Sequence, residues 1–202
     1  MDRRTLLGGA ALTAVTGALL PPAAARAATA TATGSSRPQA DTDHPSAHWT
    51  PASASNLTAA DRPSSHRIDF VVIHVTQETF ADTVKIFQNP ARKVSAHYVV
   101  RSVDGHVAQC VRERDIGWHA GNWDYNTRSV GIEHEGWVDR PAYFTHALYE
   151  RSAALTASVC ERYDIPKDRA HIIGHHEVPG ATHSDPGPYW DWTRYIRLVN
   201  FA

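Results

Sequence analysis

One stretch constrains this chain more than any other: Ile68-Asp69-Phe70-Val71-Val72-Ile73-His74-Val75. Five of its eight residues are β-branched, and the run is too short and too continuous for an amphipathic helix. It predicts a central strand buried on both faces. Such a strand needs a packed layer on each side of its sheet, so the rest of the chain has to supply helices as well as strands. Residues 79–88 predict a short helix, stopped by Asn89-Pro90. Residues 95–101 predict a second strand, and Asp104-Gly105 a hairpin turn into a third over 106–111. Residues 129–134 predict a fourth. Thr145 can cap a long helix to Tyr163, with Leu148, Leu155, Val159 and Tyr163 along one side. A short strand over 172–174, a Gly/Pro loop to 188 and a last helix over 192–198 complete the pattern. The expected class is α/β (α+β), a single central mixed β-sheet flanked by helices.

His74 stands at the end of the buried strand, on the face of Phe70 and Val72, where an imidazole is costly unless something satisfies it. A second polar cluster runs His171-Ile-Ile-Gly-His175-His176-Glu177-Val-Pro-Gly-Ala-Thr-His183-Ser-Asp185-Pro-Gly-Pro. Its prolines and glycines forbid a helix, so these side chains belong to a strand end and a shaped loop. Two imidazoles and one carboxylate would leave a fourth tetrahedral position for water, the open geometry of a catalytic zinc. Spacing alone chooses neither His175 over His176 nor Asp185 over Glu177. A hydrogen-bonded core histidine and a solvated His-rich loop are the plain alternatives.

At 202 residues the chain has room for one ordinary domain, and an apolar share of 42% buries a core without staples. A net charge of −1 gives no field for nucleic acid. Two cysteines, Cys110 and Cys160, in no CxxC arrangement exclude a disulfide framework and a thiolate zinc cluster; one disulfide between them stays open. Residues 1–27 read as a signal peptide: paired arginines in Asp2-Arg3-Arg4-Thr5-Leu6-Leu7, an apolar stretch to Leu20, and Ala25-Arg26-Ala27 as a cleavage site. The apolar part falls short of the roughly 20 residues a membrane span needs. The twin arginine resembles a Tat signal, with a Sec signal as the alternative. The expectation is a secreted monomer with no membrane association after cleavage. Residues 28–48, Ala/Thr/Ser/Pro-rich and without apolar period, predict a disordered linker, and the folded domain is expected over 49–202.

Six stretches then occur together and in order: Val-Ile-His-Val-Thr around 71–76, Val-Ser-Ala-His-Tyr (94–98), Gly-Trp-His-Ala-Gly (117–121), Ser-Val-Gly-Ile-Glu (129–133), Gly-His-His-Glu-Val-Pro-Gly (174–180) and Ser-Asp-Pro-Gly-Pro (184–188). Together they resemble the N-acetylmuramoyl-L-alanine amidases of type 2, a family that includes amidase-type phage lysozymes and peptidoglycan recognition proteins. The resemblance covers the chain from Trp49 onward. It implies a cell-wall hydrolase that cuts the amide bond between N-acetylmuramic acid and L-alanine in peptidoglycan or muropeptides, using one zinc ion. Carried over by position, the metal ligands are His74, His175 and Asp185, and Glu133 is the carboxylate that activates water, with Gly131 leaving room on the same strand face. Where the family often has an oxyanion-stabilising Lys, this chain has His183. Ala96 stands where the phage lysozymes carry a catalytic Tyr, which places the chain with relatives that rely on the Glu. His97, Trp118, His119, Asn122 and Asn126 are expected substrate contacts along the groove, with Trp123 beside them. Glu135 shares the face of Glu133 and is not separable from it by pattern alone.

Two rivals are weaker. A helical zinc endopeptidase motif is absent, because Val178, Pro179 and Gly180 follow His176-Glu177 with no second His. A catalytically dead peptidoglycan-binding module would lack the third ligand, yet Asp185 and Glu133 are both present.

Overall fold

The computed structural model describes residues 42–202, so the expected signal segment and the linker up to residue 41 lie outside the described residues. Ordered structure begins upstream of Trp49, which corrects the expected start of the domain. Strand β1 (Ala47–Trp49) runs parallel to a later strand, with Ala47 opposite Val107. Asp43 ties the entry down: its backbone N–H donates to Gln109 Oε1 at 2.7 Å, and its carboxylate accepts from the Glu113 N–H at 2.9 Å. These are polar anchors, invisible to an apolar-periodicity argument.

The chain then forms β2 (Leu57–Thr58), β3 (Phe70–Val75) and α1 (Phe80–Gln88). Thr79 Oγ1 caps α1 by accepting from the Asp82 N–H, and Pro90 prevents continuation past Asn89. Strands β4 (Tyr98–Val100) and β5 (Val107–Gln109) form the expected antiparallel hairpin. Gly105 at its turn has φ 68°, and a Cβ there would lie 2.6 Å from the Ala147 carbonyl oxygen. β6 (Ile116–Gly117) pairs with β2, and α2 (Trp123–Arg128) leads into β7 (Ser129–His134). The long helix α3 (His146–Tyr163) starts at the Thr145 cap, as expected, and ends on Asp164 in the left-handed region at φ 55°. β8 (Ile172–Gly174) and α4 (Trp192–Phe201) follow. β1, β2, β6 and α2 were not legible in the sequence, because each is too short to show a period.

The main sheet has the order β1-β5-β4-β7-β3-β8, with β3 parallel to both neighbours and β4 antiparallel to β5. The expected mixed sheet with a central β3 is therefore present. Alternation along the strands divides the side chains. Val71, Ile73, Val130 and Ile132 pack on one face against α3 and α4, through Leu148, Leu155 and Val199. Truncating one such Leu to Ala typically costs about 2–5 kcal/mol. On the other face Val99 and Ala108 pack on Phe87 of α1, while Val72 packs on Ala120 and Ile173. His74 and Glu133 belong to this second face. Cys110 and Cys160 lie in the clusters on opposite faces and are both free, which closes the disulfide question.

A polar network fixes β3 from behind. His134 Nδ1 lies 2.8 Å from the His74 carbonyl oxygen and must donate to it, so Nε2 accepts from Ser152 Oγ at 2.6 Å. Ser152 and Thr156 both reach the Tyr195 hydroxyl, at 2.8 and 2.6 Å. Burial pushes the His134 imidazole down to about 3, so the ring is neutral. Helices α3 and α4 are thereby bonded to the strand that carries His74.

Candidate metal centre and groove

The parallel register of β3 and β7 sets His74 opposite Glu133. Gly174, the last residue of β8, stands opposite Ile73, so His175 leaves the sheet beside His74. The turn that follows is shaped by its other polar residues. The Gly174 N–H donates to Glu177 Oε2 at 2.7 Å, and the His176 N–H donates to the Asp185 carbonyl oxygen at 3.1 Å. Glu177 also pairs with Arg169 at 2.5 Å. His176 and Glu177 are exposed and consumed in holding the loop, whereas His175 and Asp185 are buried. The turn thus points His175 and Asp185 inward and His176 and Glu177 outward.

One ligand atom from each of His74, His175 and Asp185 lies within 4.8 Å of the others, and all three residues are buried. Nδ1 of His74 is 3.2 Å from Asp185 Oδ2, and Nδ1 of His175 is 3.1 Å from Oδ1. Burial opposes ionisation of Asp185, but the facing imidazoles outweigh it and hold its carboxyl well below the usual carboxylate range. Burial lowers His74 despite the carboxylate, which favours its neutral ring. A carboxylate facing two imidazole nitrogens in a buried cluster fits a divalent cation, and the nitrogen and oxygen donor set suits zinc.

Glu133 faces the same space. Its Oε2 is buried with no hydrogen-bond partner, and burial, with the negative charge of Asp185 adding, pushes its carboxyl well above the usual range. Glu135 is separated from it by use: its two oxygens accept from the Phe80 N–H at 3.0 Å and the Ser102 N–H at 2.8 Å. It holds backbone and has nothing free. His183 stacks on His175 with ring centroids 4.7 Å apart and lies open to solvent, its Nδ1 4.0 Å from Asp185 Oδ1.

A groove of about 900 Å³ opens over this cluster. Ile86, Phe87, Lys93 and Val94 line it, as do Trp118, Trp123 and the 180–183 loop. Of the expected substrate contacts, Trp118, His119 and Asn126 line the groove, and His97 and Asn122 do not. His97 is fully buried; its Nδ1 accepts from the Gly131 N–H at 3.0 Å, and its Nε2 lies 2.7 Å from the Arg62 guanidinium. Asn122 caps α2 through Tyr125 N–H and donates to the Pro179 carbonyl oxygen at 3.0 Å. Both side chains are engaged with neighbouring protein groups. Asn126 also spends its Oδ1 on the N–H groups of His119 and Ala120, at 3.0 and 2.8 Å. Trp118 lines the groove while its Nε1 donates to Thr58 at 3.0 Å. Ala96 is buried in the cluster around Phe87 and does not line the groove. Trp123, 56% exposed, lines the groove as well, in keeping with its expected place beside these contacts.

Residues 64–188 match the family model described as N-acetylmuramoyl-L-alanine amidase. The chain is 35% identical over 175 residues to N-acetylmuramoyl-L-alanine amidase A of Achromobacter lyticus, covering 78% of this chain and 96% of that protein. It is 39% identical over 115 residues to the 1,6-anhydro-N-acetylmuramyl-L-alanine amidase AmpD of Escherichia coli, covering 54% of this chain and 60% of that one. A crystal structure of an AmpD derivative superposes with a TM-score of 0.64 at 26% identity, over 77% of this chain and 96% of the other. The E. coli amidase AmiD, in complex with an anhydro-N-acetylmuramic acid tripeptide, shares the fold with a TM-score of 0.57 at 24% identity, over 65% and 57% of the two chains.

Proposed function

This chain belongs to the N-acetylmuramoyl-L-alanine amidase family, and from that membership we propose that it is a zinc enzyme hydrolysing the amide bond between N-acetylmuramic acid and L-alanine in peptidoglycan or its muropeptides. The observation that carries this reading is the convergence of His74, His175 and Asp185 beside an unpartnered Glu133 oxygen at the floor of a groove. His74, His175 and Asp185 would hold the ion. When bound, zinc supplies a Lewis acid for the scissile carbonyl and makes water acidic enough to act as nucleophile near neutral pH.

The remaining steps belong to side chains. Glu133 takes a proton from the attacking water as its oxygen bonds to the lactyl carbonyl carbon, and returns one to the L-alanine nitrogen as the C–N bond breaks. Its burial raises its proton affinity, which suits a carrier that must both accept and release. His183, at the open rim over His175, donates to the oxygen that gains charge. Trp118 and Trp123 offer aromatic surface to the bound substrate. The twin-arginine start and small-x-small site within residues 1–27 support export to the cell wall, and we assign residues 28–41 to a linker and monomeric action to the domain.

Digestion of purified sacculi followed by mass spectrometry tests the reaction. The expected products are glycan with free lactyl ends and intact stems with a free L-alanine amino group. Cleavage inside the stem would refute the assignment. Chelation should abolish turnover and one equivalent of zinc restore it; activity that survives complete metal removal would refute the zinc reading.

A further inference from the structure

Three hydrogen bonds run in series from the metal cluster into the protein. Nε2 of His74 lies 3.0 Å from Nδ1 of His119. The other nitrogen of His119, Nε2, lies 3.2 Å from Ser129 Oγ, and that oxygen lies 2.5 Å from the Tyr125 carbonyl oxygen. A carbonyl only accepts, so Ser129 commits its single proton to Tyr125 and can only accept from His119. A neutral His119, packed between the rings of His74 and His97, then carries its proton on Nε2 and is bare at Nδ1. His74 must therefore be the donor through Nε2, which leaves its Nδ1 bare. That nitrogen is the one aimed at Asp185.

The polarity of the series is set at its far end by a backbone carbonyl, a group that cannot change role. The space for it comes from Gly131 on β7, where a Cβ would lie 2.5 Å from Cγ of His119 and 2.6 Å from its Nδ1. The Gly of Ser-Val-Gly-Ile-Glu thus makes room for the His of Gly-Trp-His-Ala-Gly. Metal-binding histidines are generally oriented by what their second nitrogen bonds, and loss of that partner costs 10–100-fold in metal affinity or activity.

We propose that His119 and Ser129 are positioning residues that fix the tautomer of His74, keeping Nδ1 bare for a cation, and that His119 does not contact substrate through its ring nitrogens. The inference rests on reading His74 as a zinc ligand through Nδ1. It reassigns a groove-lining histidine whose two nitrogens are both engaged inside the protein.

Nitrogen-15 NMR of the metal-free parent and zinc titrations against a competing chelator test it. The parent spectrum should show His74 and His119 both protonated at Nε2. His119→Leu should loosen zinc by about 10–100-fold. His119→Asn, whose side-chain oxygen reaches the former Nδ1 position, should bind more tightly than the Leu variant. Ser129→Ala should loosen zinc less than His119→Leu and put some His119 proton on Nδ1. A parent His74 protonated at Nδ1, a folded Leu variant that binds zinc like the parent, or an Asn variant no better than Leu would each overturn the proposal. If the Leu variant does not fold, the parent spectrum and Ser129→Ala decide. The spectrum is taken without metal, so a protein showing the expected tautomers yet binding no zinc would sink the metal reading and keep the hydrogen-bond series.

Discussion

Gly131→Ala is a one-carbon change with a worked consequence. The added Cβ would lie 2.5–2.7 Å from Cγ, Nδ1 and Cδ2 of His119, so the whole near edge of the ring is struck rather than a flexible tip. Ordinary carbon contact requires the ring to retreat by roughly 1 Å. The ring cannot do so freely, because its Nε2 is held by Ser129 and the adjoining loop by Asn126. Overpacking of this kind costs about 1–3 kcal/mol. If the cost arises only from His119, it should vanish when the imidazole is removed. In a His119→Ala background, Gly131→Ala should be neutral or stabilising by about 0.5–1 kcal/mol, since Gly is the poorer strand residue. Urea denaturation of the four metal-free proteins, followed by circular dichroism, completes the cycle. A coupling energy of at least about 1 kcal/mol is expected. Additivity within about 0.3–0.5 kcal/mol would show that Gly131 serves something other than His119, and the spatial argument would fail.

Glu133→Gln keeps the shape of the side chain and removes its basicity, so it should bind zinc within a few-fold of the parent while turnover falls by about 10²–10⁴; loss of zinc together with activity would show a ligand-holding role instead. Stability should fall as pH drops from 7 to 5. His97 is fully buried, and desolvation first, then the Arg62 charge, holds its pKa well below 6.5. The Asp115 carbonyl pulls the other way and the His74 and His119 rings lie close by. The unfolded chain takes up this proton first, so below about 6.5 stability is lost at up to about 1.4 kcal/mol per pH unit from this group. Denaturation midpoints at pH 7, 6 and 5 should show a steeper decline in the parent than in His97→Asn, and equal slopes would remove His97 as the cause.

How much of this was legible depended on the length scale of each signal. The β3 run, the β4–β5 hairpin, β8 and α3 with its Thr145 cap each carry a full period or a turn pair, and all four formed. The start of the fold was misplaced because Asp43 is held by Gln109 and Glu113, some 70 residues away in sequence, and no local pattern records that. Strand alternation alone left the two carboxylates unranked for a similar reason. Glu133 and Glu135 share a strand face, and the Phe80 and Ser102 N–H groups arriving from other elements engage Glu135 alone of the two.

By itself the sequence determined the sheet, the second face on which His74 would lie, and the loop rigid enough to carry the other polar groups. Those follow from backbone preference and alternation, which are local. The tertiary structure decided which side chains have free atoms. His97, Asn122 and Glu135 are spent on neighbouring protein groups, whereas Glu133 keeps an unpartnered oxygen and His74, His175 and Asp185 converge within 4.8 Å. Hydrogen-bond satisfaction depends on every partner within about 3 Å, and those partners come from distant parts of the chain.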